Sequence, residues 1–170
     1  CRTVVVFGDT QDIADYESKV DGQFSRSPWL EAMVDWVIDN RVSENIDFVL
    51  QVGDITEHGW WLPMSPGCLN GCDAASCHCP SEVAEEWSIF NAQFQRLETE
   101  GIPFAIVPGN HDNIRSQGGP LDGPGFFDYY SPTHLAALPG YLESKTSAAS
   151  DCTATAWQFS LGPEPVIVLA

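Results

Sequence analysis

The stretch IPFAIVPGNHD, residues 102–112, passes from an apolar segment through a Pro-Gly pair into Asn110, His111 and Asp112. A simple turn uses the glycine, but it does not need a histidine between an amide and a carboxylate. The apolar part is typical of a buried β-strand. The stretch therefore predicts a strand followed by a turn that carries chemistry.

Two earlier segments end in a similar way. TVVVFGD ends at Asp9 and IDFVLQVGD ends at Asp54, and in both an apolar run meets a Gly-Asp pair. Between the strands, apolar residues in 28–38 and aromatic residues in 83–97 recur at steps of three and four, which predicts two helices. Alternating strands and helices predict right-handed crossovers and an α/β fold with a mainly parallel sheet.

The carboxyl-terminal part is less regular. Residues 113–152 are rich in Gly, Pro and Ser, and we expect mostly surface loop there, with one short helix near Leu135. ATAWQFSLG and PVIVLA predict two further strands joined by a Gly-Pro turn. The length fits one domain across 1–170, which we expect to be incomplete, with a Cys-rich loop insertion at about 60–80.

The charge balance limits the partners. With 24 acidic and 7 basic side chains, the formal net charge is −17, which argues against a broad surface for nucleic acid or anionic membrane. The longest apolar runs are far too short to span a bilayer, so no membrane insertion is expected. A small phosphate ester remains compatible with this charge if metal ions supply local positive charge.

Six cysteines, four of them in CLNGCDAASCHC, are typical of an exported protein with disulfide-closed loops. A structural zinc held by Cys77, His78 and Cys79 is the alternative, although adjacent ligands wrap one tetrahedral ion poorly. If the cluster closes on itself, Cys1 and Cys152 are left to pair with each other. We expect a secreted, extracellular or cell-surface location.

Polar residues follow the three parallel strands. In open parallel sheets, ligands bind at the carboxyl ends of the strands, so Asp9 with Gln11, Asp54, and Asn110 with His111 should converge. Carboxylates, amide oxygens and imidazole are ligands for divalent cations. A carboxylate such as Asp54 can bridge two metals about 3.5–4 Å apart. This predicts hydrolysis of a phosphate ester by metal-activated water.

These residues resemble those of the calcineurin-like metallophosphoesterases. The matching motifs are GDTQ at 8–11, GDITEHG at 53–59 for the family's GDxxxxG, and GNHD at 109–112, and the likeness is clearest from Thr3 to about His111. Gln in the first motif is similar to one branch of the family. The resemblance implies an αββα sandwich, of which this chain would be the amino-terminal portion.

The resemblance also implies roles for individual residues. Asp9 and Gln11 would bind the first of two divalent metal ions, Asp54 would bridge both, and Asn110 would bind the second. The metals would be Mn, Fe, Zn or Mg. Each residue also has a purely structural interpretation: the carboxylates as caps, the amides as turn formers.

Catalysis, by the same resemblance, would involve His111 and Asp112. His111 would contact the substrate phosphate, stabilising charge or protonating the leaving oxygen, and Asp112 would hold or orient. The family supplies three further histidine ligands downstream, whereas this sequence has no histidine after His134. A carboxyl-terminal segment or a partner chain would have to complete the site.

Two functions therefore remain open. The first is a secreted metal-dependent phosphoesterase acting on a small phosphomonoester or phosphodiester. The second is a catalytically weakened fold that serves as an extracellular structural or interaction module. A weaker third option is carbohydrate binding through Trp60 and Trp61. We expect His58 to face solvent and His134 to be structural.

Overall fold

A computed structural model describes residues 1–11, 13, 27–56, 80–109, 111–112, 125–146 and 153–169. The elements, in chain order, are β1 (Thr3–Phe7), α1 (Pro28–Asn40), β2 (Ile46–Gln51), α2 (Pro80–Thr99), β3 (Phe104–Ile106), α3 (Phe126–Tyr129), α4 (Pro132–Ala137), β4 (Tyr141–Thr146), β5 (Thr153–Leu161) and β6 (Glu164–Leu169). In these ranges no helix combines the length and hydrophobicity needed to cross a membrane.

The first sheet confirms the parallel arrangement predicted from the sequence. Strands β1, β2 and β3 pair in that order, all parallel, with β2 in the centre. Helix α1 connects β1 to β2, and α2 connects β2 to β3. Because all three strands run the same way, the turns that follow them lie at one edge of the sheet.

Strand register decides which face of this sheet meets which layer. Val49 pairs with Phe104, so their side chains share a face, and Phe104 packs edge-on against Phe94 of α2 with ring centroids 5.1 Å apart. On the opposite face, Phe48 stacks on Phe159 of β5 at 4.3 Å. Helices therefore cover one face of the parallel sheet, and a second sheet covers the other.

The second sheet is antiparallel, in the order β4–β5–β6. Its β5–β6 hairpin confirms the two strands predicted near the carboxyl end. Asp47 holds the hairpin turn against the first sheet: its carboxylate accepts from the Gly162 N–H at 3.2 Å and pairs with Arg2 at 3.0 Å. The described layers are thus helix, sheet, sheet, as an α/β sandwich requires.

The expectation for residues 113–152 was only partly right. Helix α4 confirms the short helix near Leu135, and its first turn is capped by the Ser131 hydroxyl, which accepts from the His134 N–H at 3.1 Å. Strand β4, however, lies where loop was expected. Its outward side chains include Glu143 and Lys145, which form an exposed ion pair at 3.0 Å, so the segment carries little apolar signal.

Candidate metal centre

Asp54 lies where the turns after the three parallel strands meet. Its backbone carbonyl accepts a hydrogen bond from the Thr10 N–H at 3.0 Å, which joins the first turn to the second. Its Oδ1 accepts from the His111 N–H at 2.9 Å, which joins the third turn to the second. The structure therefore brings the predicted turns together around the residue expected to bridge the two metals.

Two glycines allow the second and third turns to approach this closely. A Cβ on Gly53 would lie 2.7 Å from the Cα and nitrogen of Gly109, and a Cβ on Gly109 would overlap the backbone nitrogen and carboxylate of Asp54. The backbone is left-handed at both Gly53, with φ of 96°, and Asp54, with φ of 52°. Asp is one of the few residues other than glycine that tolerate this conformation.

Asp112 fastens the third turn to the second. Its side chain is 5% exposed. The carboxylate accepts from the backbone N–H groups of Gly109, Ile55 and Thr56 at 2.8, 2.9 and 2.8 Å, and from the Thr56 hydroxyl at 3.1 Å. Burial raises the pKa of this carboxyl to about 6, while the hydrogen bonds from Gly109, Ile55 and Thr56 act to lower the pKa. Asp112 thus orients the turns, and its carboxylate is occupied by loop backbone.

Gln51, at the end of β2, fastens the first turn to the second. It is 2% exposed. Its Nε2 donates to the Gly8 carbonyl at 3.2 Å and to the Thr10 hydroxyl at 3.1 Å, and its Oε1 accepts from the Gly53 N–H at 2.6 Å. Sequence reasoning missed this residue. The available signal was a long polar side chain directly after the apolar run at residues 48–50.

The first turn presents the two residues expected to bind the first metal. Asp9 is exposed, and its Oδ1 accepts from the Gln11 N–H at 3.1 Å, a local bond that shapes the turn. The Oε1 of Gln11 is buried and has no hydrogen-bond partner among the described residues. A buried oxygen without a partner is unfavourable unless a cation or water occupies the space beside it.

The described residues do not form a complete metal shell. In the ranges that the structure describes, no three His, Cys, Asp or Glu side chains cluster in a way that could hold a metal ion. Asn110 lies outside the described residues, as do His58, His78, Trp60 and Trp61. The ligands available for a cation here are two carboxylates and one amide oxygen.

Two predictions about other residues can be placed. His134 hydrogen-bonds the Tyr129 carbonyl at 2.9 Å and the Glu98 carboxylate at 3.0 Å, in keeping with a structural histidine. Cys1 is exposed and its thiol is free among the described residues. The other five cysteines lie outside them, so the disulfide framework and the Cys1–Cys152 pair stay predictions.

A family model described as calcineurin-like phosphoesterase matches residues 2–151. The chain belongs to the calcineurin-like phosphoesterase family. Comparisons with curated proteins and with solved structures gave no significant match. All three strand-end motifs fall within the matched range. Membership in this family implies a hydrolase that acts on phosphoric esters, and such phosphoesterases generally use two divalent metal ions.

The residues present fit a divalent cation in this calcineurin-like phosphoesterase. Gln11 Oε1 is a buried acceptor with no partner among the described residues. Among the same residues, the hydrogen bond from the His111 N–H to the Asp54 carboxylate uses Oδ1. Asp9 adds an exposed carboxylate two residues before Gln11. Oxygen donors of this kind suit Mg or Mn, and they also suit Zn or Fe when imidazole completes the shell.

Proposed function

We propose that this chain is the amino-terminal portion of a secreted phosphoesterase that uses two divalent cations to hydrolyse a small phosphomonoester or phosphodiester. The observation that carries the proposal is the meeting of three strand-end turns at Asp54, together with a buried Gln11 oxygen in the first turn that has no partner among the described residues. Family membership supplies the reaction class.

The chain's own residues divide the work. Asp9, Gln11 and Asp54 would hold the first cation, and Asp54 with Asn110 the second. When bound, the two cations activate a water and neutralise charge on the phosphoryl group. His111 starts from a fixed backbone position, because its N–H is bonded to Asp54 Oδ1. Its imidazole could donate a hydrogen bond to a phosphoryl oxygen or act as the general acid for the leaving oxygen.

Completion of both metal shells requires ligands beyond those described. Three oxygen-bearing side chains leave a cation mostly hydrated, and such cations exchange readily. We therefore include in the proposal a downstream segment or a partner chain that contributes imidazole ligands. With a net charge of −17 the protein repels polyanions, which favours small phosphate esters over nucleic acid as substrates.

Export is a second part of the proposal. Six cysteines in 170 residues support an oxidising compartment, since free thiols at this density are unusual outside metal sites. Peptide mapping of the native protein without reduction tests this. Disulfide-linked peptides from the segment 68–79 would support export, whereas six free thiols would contradict it.

A non-catalytic role remains the alternative, and one observation favours it. Helix α1 exposes Trp29 and Trp36, which lie two turns apart on the same face of the helix. Their side chains are 64% and 50% exposed. Tryptophans with this exposure are enriched at binding surfaces. In that case the fold would serve as an extracellular interaction module whose metal chemistry is weakened.

Hydrolysis of a chromogenic aryl phosphodiester distinguishes the two functions. The native protein, with any downstream segment, should turn over substrate in Mn²⁺ and lose activity in chelator. Asp54→Asn should fall to background, because it removes the carboxylate proposed to bind both cations at the point where the three turns meet. The matched control is Asp39→Asn, an exposed carboxylate on α1, which should keep full activity.

The enzyme proposal fails if the complete native protein shows no metal-dependent turnover of any aryl phosphate. It also fails if Asp54→Asn retains the activity of Asp39→Asn. Either result would leave the interaction module as the better account of the fold.

A further inference from the structure

Gln51 is a long polar side chain, only 2% exposed, at the strand end beside the candidate metal centre. It occupies the last position of the central strand, and its register partners on the neighbouring strands are Phe7 and Ile106. A carboxamide between such neighbours is unfavourable unless its donors and its acceptor are paired. Packing alone would favour an apolar residue at this position.

The hydrogen bonds of Gln51 require donors on one side of its side chain and an acceptor on the other. Its two N–H donors meet the Gly8 carbonyl and the Thr10 hydroxyl, and its oxygen meets the Gly53 N–H. A carboxylate would place oxygen against the Gly8 carbonyl, and an ammonium or guanidinium would place donors against the Gly53 N–H. Only an amide of this length satisfies both sides without a charge.

The two sides belong to different metal-binding turns. Gly8 and Thr10 flank Asp9 in the first turn, and Gly53 immediately precedes Asp54 in the second. The uncharged Gln51 side chain therefore links the turn that carries Asp9 and Gln11, the ligands expected at the first cation, to the turn that carries Asp54, which is expected to bridge both cations. The third turn is not touched by Gln51 in the described residues; it is held by Asp112 instead.

We propose that Gln51 is a positioning residue that fixes the first turn relative to Asp54 and thereby sets the affinity of the first cation site. The inference rests on the proposed function for the identity of the ligands. It predicts an asymmetric effect. Among the described residues, loss of the Gln51 bonds leaves the first turn held to Asp54 by the Thr10 N–H alone, while the bond from His111 to Asp54 stays in place.

Gln51→Met is the informative variant, because it keeps length and approximate volume but removes all three hydrogen bonds. Mn²⁺ titration of the full native protein, followed by the EPR signal of free Mn²⁺, should show affinity for one equivalent weakened about 10- to 100-fold, as is usual for groups that orient metal ligands. Affinity for the other equivalent should change by less than about threefold.

The matched control is Thr155→Val. Thr155 is also 2% exposed, and its hydroxyl accepts from the Trp157 indole at 2.8 Å within the second sheet, away from the turns. This variant loses a buried hydrogen bond of similar kind and should keep both Mn²⁺ affinities. Equal weakening in both variants would mean that Gln51 acts through general stability, which would overturn the inference.

Hydrogen exchange in chelator gives a readout that needs no metal. Peptides covering 1–11 should exchange at least about tenfold faster in Gln51→Met than in wild type, because the clamp on the first turn is gone. Peptides covering 109–112 should be unchanged. Thr10→Val, which removes only one partner of Gln51, should shift exchange in the same direction by a smaller factor and covers the case in which Gln51→Met does not fold.

The outcomes separate this inference from the proposed function. Unchanged exchange in 1–11 for both variants, or unchanged affinity for both Mn²⁺ equivalents, overturns the positioning role. Faster exchange in 1–11 together with no Mn²⁺ binding by the wild-type protein supports the positioning role and rejects the metal-dependent function.

Discussion

Two regions of this molecule differ in how their buried polar side chains are held. At the turn edge, formed by the turns after β1, β2 and β3, the side chains of Gln51 and Asp112 are bonded to the backbone of neighbouring turns. In the aromatic cluster, formed by Trp87, Phe126, Tyr129 and Tyr130, the Trp87 indole and the Tyr130 hydroxyl have no partner among the described residues.

Different interactions hold the two regions in place. Rings in the aromatic cluster stack, with Trp87 and Tyr129 centroids 5.5 Å apart and Phe126 and Tyr130 centroids 5.6 Å apart. Ring packing is therefore the main contact that fixes their positions, and the Tyr129 hydroxyl adds one hydrogen bond to the Ala84 carbonyl at 3.0 Å. The turns have less apolar surface, although Ile55 of the second turn is buried in the core. Their relative positions depend on directed hydrogen bonds and on close backbone contact, and small changes there should be costly.

The largest expected effect is that of Gly109→Ala at the turn edge. The added methyl group would overlap the Asp54 backbone, which cannot move without breaking the bonds from Thr10 and His111. We expect a loss of about 3 kcal/mol in the free energy of unfolding, measured by urea denaturation in chelator.

Gly8→Ala is the matched control for that substitution. A Cβ at Gly8 meets nothing within 4 Å, so its stability should change by less than about 1 kcal/mol. If the two variants were equally stable, close backbone contact would not be what joins the second and third turns.

Asp112→Asn should have the next largest effect. The carboxylate accepts bonds from Gly109, Ile55 and Thr56, and an amide in its place would turn an N–H group toward one of these donors. A stability loss of about 2 kcal/mol is expected by thermal or urea unfolding.

The exposed carboxylate Asp39, changed to Asn, should alter stability by less than about 0.5 kcal/mol. A neutral result at position 112 as well would show that the turn edge tolerates a mismatched donor, and the contrast with the aromatic cluster would disappear.

Tyr130→Phe tests the other side of the comparison and should have the smallest effect. Removing a buried hydroxyl that has no partner among the described residues should leave stability unchanged or raise it by up to about 1 kcal/mol. A loss of more than about 1 kcal/mol in the free energy of unfolding would show that the hydroxyl has a hydrogen-bond partner.

The same variant has a pH signature. Burial, and then the charge of Glu98, raise the pKa of Tyr130 well above its usual value near 10. Above pH 10 the unfolded state releases this proton and the folded state does not, so wild-type stability falls as pH rises. Unfolding free energies of wild type and Tyr130→Phe should therefore diverge above pH 10 and run parallel below it.

Much of the fold was predictable because the parallel strands are continuous apolar runs closed by glycine. Strands β1, β2 and β3 and both crossover helices carry the period of their structure in their own residues. Strand β4 does not: YLESKT includes Glu143 and Lys145 at exposed positions, and the segment becomes a strand only through pairing with β5. Local sequence cannot show such a partner.

The same limit applied to the site. Asp9, Asp54 and His111 were predictable because each follows a strand end within a short motif. Gln51 and Thr56 were not, since their roles come from contacts across 41 and 56 positions of sequence. The residues expected to present oxygen to a cation were visible in the sequence; the residues that hold those turns together required the structure.

The left-handed backbone at Asp54 has an evolutionary consequence. In the proposed phosphoesterase two independent requirements act at this position: the backbone needs a residue that adopts positive φ, and the cation would need a carboxylate. Asn and Gly meet the first requirement and β-branched residues do not. A descendant that abandoned catalysis would therefore drift at position 54 toward Asn or Gly, with its sheet intact, and the change of that single side chain would record the loss of the enzyme.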